Sequence, residues 1–542
     1  MQRLVASSLA MLMVSGSLVQ PAFARDNSGP TATPIKHLVV IFQENVSFDH
    51  YFGTYPNALN PPHEPSFHAA AGTPTVNGYT DGLLKYNPNF LNRTLNGAGA
   101  VNPFRLDRSQ ASTADQDHDY TPEQEAFDKG MMDGFPKYTG TPGPPPSGQT
   151  NNGLVMGYFD GNTVTAYWNY AQQYAMSDNS YGTNFGPSTD GAVNLVSGQL
   201  NGVSDQVNAA SDVIGDGSGG YTLISDADPI GDVCSTTTGA QVAFGGQNVG
   251  DMLTAKGITW GFFQGGFDLT VKNSNGTTGC NRSTTSAVTG VTEKDYIPHH
   301  QPFEYFTSTQ NLQHARPSST RTVGVQGDPG NHEYDIHDFF DAINAGNFPA
   351  VSFLKAPGYE DGHAGYSDPI DEQNFVVTVI NFLQKQSDWE NTAVVIAYDD
   401  SDGWYDHQMG PIVNPSTSSA DALTAPGECG NGANALPGVN AAHAQGRCGY
   451  GPRLPLLVIS PYARHNFVDH GVTDQTSILR FIEDNWLDSD RIAGSFDALA
   501  GTLNNMFDFT NQPNRGSFLL DPSTGEQVNG GGGFGFPFPG IW

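Results

Sequence analysis

Apolar and polar positions along this chain fall into two alternating rhythms. Unbroken runs of aliphatic and β-branched residues recur at 37–43 (HLVVIFQ), 258–263, 350–354, 392–398 and 454–460. A short apolar run without polar alternation is the pattern of a strand buried on both faces. Between these runs, apolar residues recur at helical spacing over 164–174, 334–344, 374–384 and 475–486, so each of these segments presents one apolar face. A briefer apolar run at 174–176 precedes a further helix expected at 191–197. Strands alternating with helices predict an α/β fold, a three-layer sandwich whose mostly parallel central sheet is covered on both faces.

The remainder is polar and long in loops, notably 54–115, 137–160, 200–250, 268–330 and 410–450. Loops of that length serve a site or cap it irregularly. The composition agrees: 64 Gly and 36 Pro, with only 14% charged residues. The 11% aromatic content is that of a chain with a packed core, not a disordered one. No internal repeat is visible. The organisation expected is a signal segment at 1–24, one catalytic domain at 25–511, and a Gly/Phe/Pro-rich tail at 512–542 whose end (530–539) reads as a surface extension.

The N-terminus sets the compartment. Arg3, an apolar stretch over 4–19 and Ala22-Phe23-Ala24 form a signal peptide cleaved after Ala24, and predict a secreted or periplasmic product. No later segment is apolar over the roughly 18 residues needed to cross a bilayer, so stable membrane insertion is not expected. An exported chain with four cysteines (Cys234, Cys280, Cys429, Cys448) should carry disulfides. Three pairings are possible, and joining neighbours in sequence closes two local loops. The net charge of −32 excludes nucleic-acid binding, which needs the opposite sign, and repels an anionic membrane at long range. An anionic substrate would then need local compensation, from a metal ion or from His and Lys side chains.

Candidate chemistry gathers at the ends of the predicted strands, where open α/β sheets bind ligands. Glu44-Asn45 follows the strand at 37–43, and Asp399-Asp400 follows the strand at 392–398. Either pair alone is as well explained by a solvated turn. Together they offer hard oxygen ligands for a divalent cation. Gly186-Pro187-Ser188-Thr189-Asp190 is a tight turn that places Ser188 at a helix N-terminus, where backbone N–H groups favour anions; a plain N-cap is the alternative. His118, His299, His300 and His363 sit in loops and can supply phosphate contacts and a general acid, whereas His37 and His407 read as incidental. Several other motifs are absent. There is no G-x-S-x-G elbow, H-E-x-x-H, Walker A or sulfatase S/C-x-P-x-R sequence, and Asp115-x-Asp117-x-Asp119 lacks the Gly and Glu of an EF-hand.

These segments, in order, are recognisable together. Residues 35–53 (IKHLVVIFQENVSFDHYFG), Gly186-Pro187-Ser188, 296–303 (YIPHHQPF), 397–407 (AYDDSDGWYDH), 453–461 (RLPLLVISP) and 475–483 (QTSILRFIE) resemble the bacterial phosphoesterase family. That family comprises non-hemolytic type phospholipases C and the acid phosphatase A group, within the alkaline phosphatase-like superfamily. The resemblance implies one divalent metal ion held by Glu44, Asn45, Ser188, Asp399 and Asp400. It also implies Ser188 as nucleophile, with His118, His299, His300 and His363 around a phosphoryl group. Phospholipase C members tend to carry Thr as nucleophile and extra C-terminal domains. Ser188, and a chain ending soon after the catalytic region, lean toward the acid phosphatase branch. Asp190 departs from the Pro-Asn that the family pattern expects after the nucleophile turn.

The activity expected is hydrolysis of phosphate esters through a phospho-serine. It is read first as an acid phosphatase-like phosphomonoesterase, then as a phospholipase C, and last as a non-catalytic metal-binding protein. His363 is the expected proton donor to the leaving alcohol. Acid should favour the reaction, because histidines are largely cationic and phosphomonoesters largely monoanionic near about pH 5–6.

Overall fold

The computed structural model describes residues 29–143, 151–430 and 445–528. The signal segment and the 530–539 extension lie outside the described residues. Eight strands form the central sheet: β1 His37–Gln43, β2 Ala175–Ser177, β3 Trp260–Gln264, β4 Glu333–Asp335, β5 Val351–Lys355, β6 Thr392–Tyr398, β7 Leu456–Ile459 and β8 Phe467–Asp469. Their order is β4-β3-β5-β1-β6-β7-β2-β8. All neighbours pair in parallel except β7, which runs against both β6 and β2. The sheet is thus mostly parallel, as the apolar runs predict. β4 and β8 are three-residue strands, too short to show a period of their own.

β1 explains why the sheet has no wet face. All seven of its residues are buried, and side chains alternate across the pleat. Val39 and Ile41 enter one core, while Leu38, Val40 and Phe42 enter the other. The first core is roofed by α2 (Thr165–Gln173), α4 (Ile336–Asn344) and α5 (Pro369–Leu383). The second is roofed by α3 (Ser188–Ser197) and α6 (Thr476–Trp486). α1 (Tyr120–Phe127) belongs to a third, smaller core built from the long loops.

Element ends follow their capping chemistry. α5 starts five residues before the periodic run at 374–384, because Asp368 caps it through the N–H groups of Ile370 and Asp371 and Pro369 occupies its first turn. Residues 518–528 lie along α5: Leu520 is fully buried, and Asn381 and Gln384 exchange hydrogen bonds with the backbone of Leu520 and Phe518. The cysteines pair as neighbours, Cys234–Cys280 and Cys429–Cys448. Among the described residues, no helix is long and apolar enough to cross a membrane.

Candidate active site

The register of the sheet builds the site. Gln43 at the end of β1 pairs with Tyr398 at the end of β6, so Glu44-Asn45 and Asp399-Asp400 emerge side by side. Asn45 takes a left-handed backbone conformation (φ 62°), which Asn tolerates better than most side chains, and its N–H donates to Asp399 Oδ1 at 2.9 Å. On the other side of β1, β5 ends in Lys355. Its buried ammonium pairs with Glu44 Oε1 and lies 3.8 Å from Asp399 Oδ2.

Ser188 opens α3 and is 2% exposed. Its Oγ lies 3.0 Å from Glu44 Oε2 and 3.2 Å from Asp400 Oδ2. The helix reaches this position because residue 191 is Gly: a Cβ there would stand 2.2 Å from the Asp399 carbonyl. Gly186 is required too, with φ 126° and no room for a Cβ beside the Asp190 carboxylate. One expectation fails here. The N-terminal amide of Thr189 is not open to a phosphate, since Asp226 Oδ1 accepts from both its N–H (2.9 Å) and its hydroxyl (2.8 Å). A carboxylate of the chain itself takes the anion's place at this amide.

The cluster is overloaded with carboxyls. Glu44, Asp361, Asp399, Asp400 and Asp402 are all buried, with Lys355 as the ammonium among them. Burial, reinforced by Glu44 and Asp400, pushes Asp399 well above the usual carboxylate range. Burial raises Asp400 to about 7 even though His118 opposes the shift. Glu44 alone falls below its ordinary value, because His300 and Lys355 outweigh its burial. Asn45 Oδ1, Asp399 Oδ2 and Asp402 Oδ2 are buried acceptors with no hydrogen-bond partner. Crowded carboxylates and orphaned oxygens are relieved by a cation. The all-oxygen set of Glu44, Asn45, Ser188, Asp399 and Asp400 suits a hard divalent ion, so these residues fit the implied metal.

A cavity of about 680 Å³ lies beside this cluster, and His118, His299 and His363 line it. Asp226 stands in its wall, connecting it to the start of α3. His118 Nδ1 is 2.8 Å from the Gln116 carbonyl, and its Nε2 is 3.5 Å from Asn45 Nδ2. His363 stacks on Tyr366 with ring centroids 4.3 Å apart, and 6.0 Å separates it from the His118 ring. His299 Nδ1 is 3.6 Å from Asp228 Oδ1. His300 does not line the cavity: it is buried, with Nδ1 3.4 Å from Glu44 Oε1 and 3.8 Å from Asp361 Oδ2. It holds Glu44 rather than facing the opening. Burial works against a charge on His118, but Asp400, Asp402 and Asp115 raise it well above the usual histidine value. His363 falls below that value because burial outweighs Asp115 and Glu44.

Sequence reasoning missed Lys355, Asp361, Asp402 and Asp226. Lys355 was within reach, since it ends a buried strand as Gln43 and Tyr398 do. The other three lie in loops whose convergence depends on the tertiary fold.

The profile described as Phosphoesterase family matches residues 35–487. The chain belongs to the phosphoesterase family. This phosphoesterase is 24% identical to the non-hemolytic phospholipase C of Burkholderia pseudomallei (strain K96243), over 95% of this chain and 65% of that protein. It is 23% identical to phospholipase C A of Mycobacterium tuberculosis (strain ATCC 25618 / H37Rv), over 94% of this chain and 84% of that one. The chain thus spans a little under two thirds of the length of the first of these relatives. A solved structure of a protein in the alkaline phosphatase superfamily from Vibrio parahaemolyticus overlaps 59% of each chain at 13% identity, with a TM-score of 0.26. That is too distant to bear on the fold.

Proposed function

We propose that this phosphoesterase hydrolyses phosphoric esters through a phospho-serine on Ser188, and that its substrates are phosphodiesters of the phospholipase C kind. The observation that carries the reading is the buried Ser188 hydroxyl at the start of α3, within 3.2 Å of both Glu44 and Asp400 carboxylates. When bound by Glu44, Asn45, Ser188, Asp399 and Asp400, a divalent cation supplies Lewis-acid polarisation and charge neutralisation.

The chain's own groups account for the protons. Ser188 Oγ attacks phosphorus as its proton passes to Asp400, whose Oδ2 lies 3.2 Å from that oxygen. The bond from phosphorus to the leaving alcohol breaks, and that oxygen takes a proton from His118. A water then attacks the phospho-serine, gives one proton to His118, and Ser188 recovers its own from Asp400. The donor role goes to His118 rather than His363 in this reading, because its Nδ1 is held by the Gln116 carbonyl while its Nε2 reaches Asn45 Nδ2 at 3.5 Å, beside the carboxylate cluster.

The cavity wall favours the diester. Asp115, Asp226, Asp228 and Glu293 line it, outnumbering the one lysine there, Lys294, together with Tyr296 and Tyr366. Carboxylates beside aromatic rings suit a cationic headgroup such as a quaternary ammonium, and they repel the second charge of a monoester. The relatives' names point the same way, so the phosphomonoesterase expected first from the sequence becomes the second reading. Ser rather than Thr at position 188 is the feature that keeps it. Export fits the signal-like N-terminus and the two disulfides.

The test compares phosphatidylcholine with p-nitrophenyl phosphate, using wild type and Ser188→Ala. Diester turnover that disappears in the variant supports the reading. Dominant monoester turnover that disappears moves the protein to the phosphatase branch with the same nucleophile. Turnover that survives the substitution overturns Ser188.

A further inference from the structure

Residues 82–106 carry their polarity inside out. Asn87 and Asn89 are fully buried and Asn96 is 7% exposed. Their amide groups are engaged internally: Asn87 Nδ2 donates to the Tyr405 hydroxyl, Asn89 Nδ2 to the Met132 carbonyl, and Asn96 Nδ2 to the carbonyls of Asn89 and Asp133. The apolar residues between them face outward. Tyr86 is 69% exposed and Leu91 61%, and on the adjoining turn Met131 is 54% exposed. Leu83, Leu84, Phe90 and Leu95 are half-buried. One exposed leucine means nothing, but an outward apolar face over an inward polar one marks a surface that something apolar covers.

Charge selects the occupant. The chain has 55 acidic residues, yet none falls in 82–106. Lys85 and Arg93 are exposed beside Tyr86 and Leu91, and Lys129 is exposed beside Met131. Asp81 pairs with Lys85 at 3.0 Å and Asp128 directly precedes Lys129, so the cationic excess of the face rests chiefly on Arg93. The Arg93 guanidinium lies 4.7 Å from the Phe90 ring, the amphipathic arrangement in which a cationic tip rides over apolar surface. Aromatic and leucine side chains ringed by Lys and Arg are the make-up of a face that lies in a lipid interface, with cations toward anionic headgroups.

We propose that this face seats the protein on a phospholipid surface containing anionic lipid, resting on it without crossing it. The choice of lipid as occupant rests on the phospholipase reading. The face shares supports with the site. α1 begins two residues after His118 and leads into the turn that carries Lys129 and Met131, and Asn87 is bonded to Tyr405, which follows the Asp399–Asp402 segment.

The experiment is co-sedimentation with vesicles of phosphatidylcholine alone, or of phosphatidylcholine with phosphatidylglycerol. Ser188→Ala serves as the non-turning-over protein. It should partition onto the mixed vesicles more strongly than onto phosphatidylcholine alone. Adding Tyr86→Ser, Leu91→Ser and Met131→Ser should weaken that partition about tenfold or more, since interfacial binding scales with buried apolar area. In the wild-type background the same three changes should leave the thermal midpoint and the turnover of soluble p-nitrophenyl phosphorylcholine unchanged. Lys85→Glu with Arg93→Glu should remove the preference for phosphatidylglycerol. Equal partition with and without the serine changes overturns the proposal. So does a wild-type dimer that those changes dissociate, with no vesicle binding. Vesicle binding by a wild type that cleaves no phosphodiester would keep this docking face and remove the phospholipase reading.

Discussion

Two buried ionic clusters grow from the same pair of segments, and they solve the same electrostatic problem differently. In the first, Glu44, Asp399 and Asp400 crowd together around Ser188 with unpartnered oxygens left over. The second begins only a few residues further along each segment. There Asp49 and Asp406 meet Arg453, whose Nη2 lies 2.9 Å from Asp49 Oδ1 and 3.1 Å from Asp406 Oδ2. His407 Nδ1 closes on Asp49 Oδ2 at 2.5 Å, Arg453 Nε also donates to Asp406 Oδ2, and Nη1 donates to the carbonyls of Asn77 and Asp178. Asp49, Asp406 and His407 lie close enough to hold a metal, yet the guanidinium already neutralises them. Ligand spacing alone therefore does not make a metal site. What distinguishes the two clusters is how much countercharge the protein supplies: Arg453 and His407 for two carboxylates, against one Lys355 ammonium among the five buried carboxyls of the first cluster.

Four changes break or sharpen that contrast. Arg453→Met would leave Asp49 and Asp406 buried without their cation. Stability should fall by about 3–5 kcal/mol in chemical denaturation, as when one partner of a buried ion pair is removed; a loss under about 1 kcal/mol would mean that the second cluster is not compensated by Arg453. Gly191→Ala forces α3 away from the Asp399 carbonyl. It should cost about 1–3 kcal/mol and lower turnover at unchanged oligomeric state.

Asp399→Asn should act in the opposite direction from Arg453→Met. In chelator-treated protein it removes like-charge crowding, so it should raise stability by about 1 kcal/mol while abolishing turnover. Destabilisation there would show that the first cluster is balanced without a bound cation. The smallest effect is the pH dependence of His407. Asp49 raises its value despite burial, while His407 and Arg453 lower that of Asp49. A raised histidine contributes stability that is complete below its unfolded value and is lost as pH rises through the folded one; a lowered aspartate contributes above its unfolded value and loses its share as pH falls. The difference in thermal midpoint between wild type and His407→Gln should therefore shrink from mildly acid to alkaline pH. A difference that grew with pH would contradict the pairing.

Much of this was legible in the chain. The apolar runs located β1, β3, β5, β6 and β7, and the short run at 174–176 overlaps β2, since a strand buried on both faces leaves an unmistakable trace; that β7 runs against its neighbours was not legible. β4 and β8 were not legible, because a three-residue strand is defined by its neighbours. Glu44, Asn45, Asp399, Asp400 and Ser188 were singled out by their place after such runs and turns taken together with the family resemblance, and the fold brings these five side by side. The division of labour among the histidines was not. His300 and His299 are adjacent in sequence, yet one is buried against Glu44 and the other faces the cavity. His407 looked incidental because its partners Asp49 and Arg453 come from distant turns. Asp226 belongs to a polar loop with no pattern, and only the fold brings it to the start of α3.

The strip at 518–528 has a consequence for the order of assembly. Leu520 closes over α5, and its bonds to Asn381 span 139 residues of chain. Residue 520 is made after every strand of the central sheet, so these bonds wait for their partner until the whole sheet has been synthesised. During synthesis, α5 can dock on the sheet while its outer face still waits for this strip. The molecule is therefore finished like a parcel, with the wrapping strip laid down after the contents are in place.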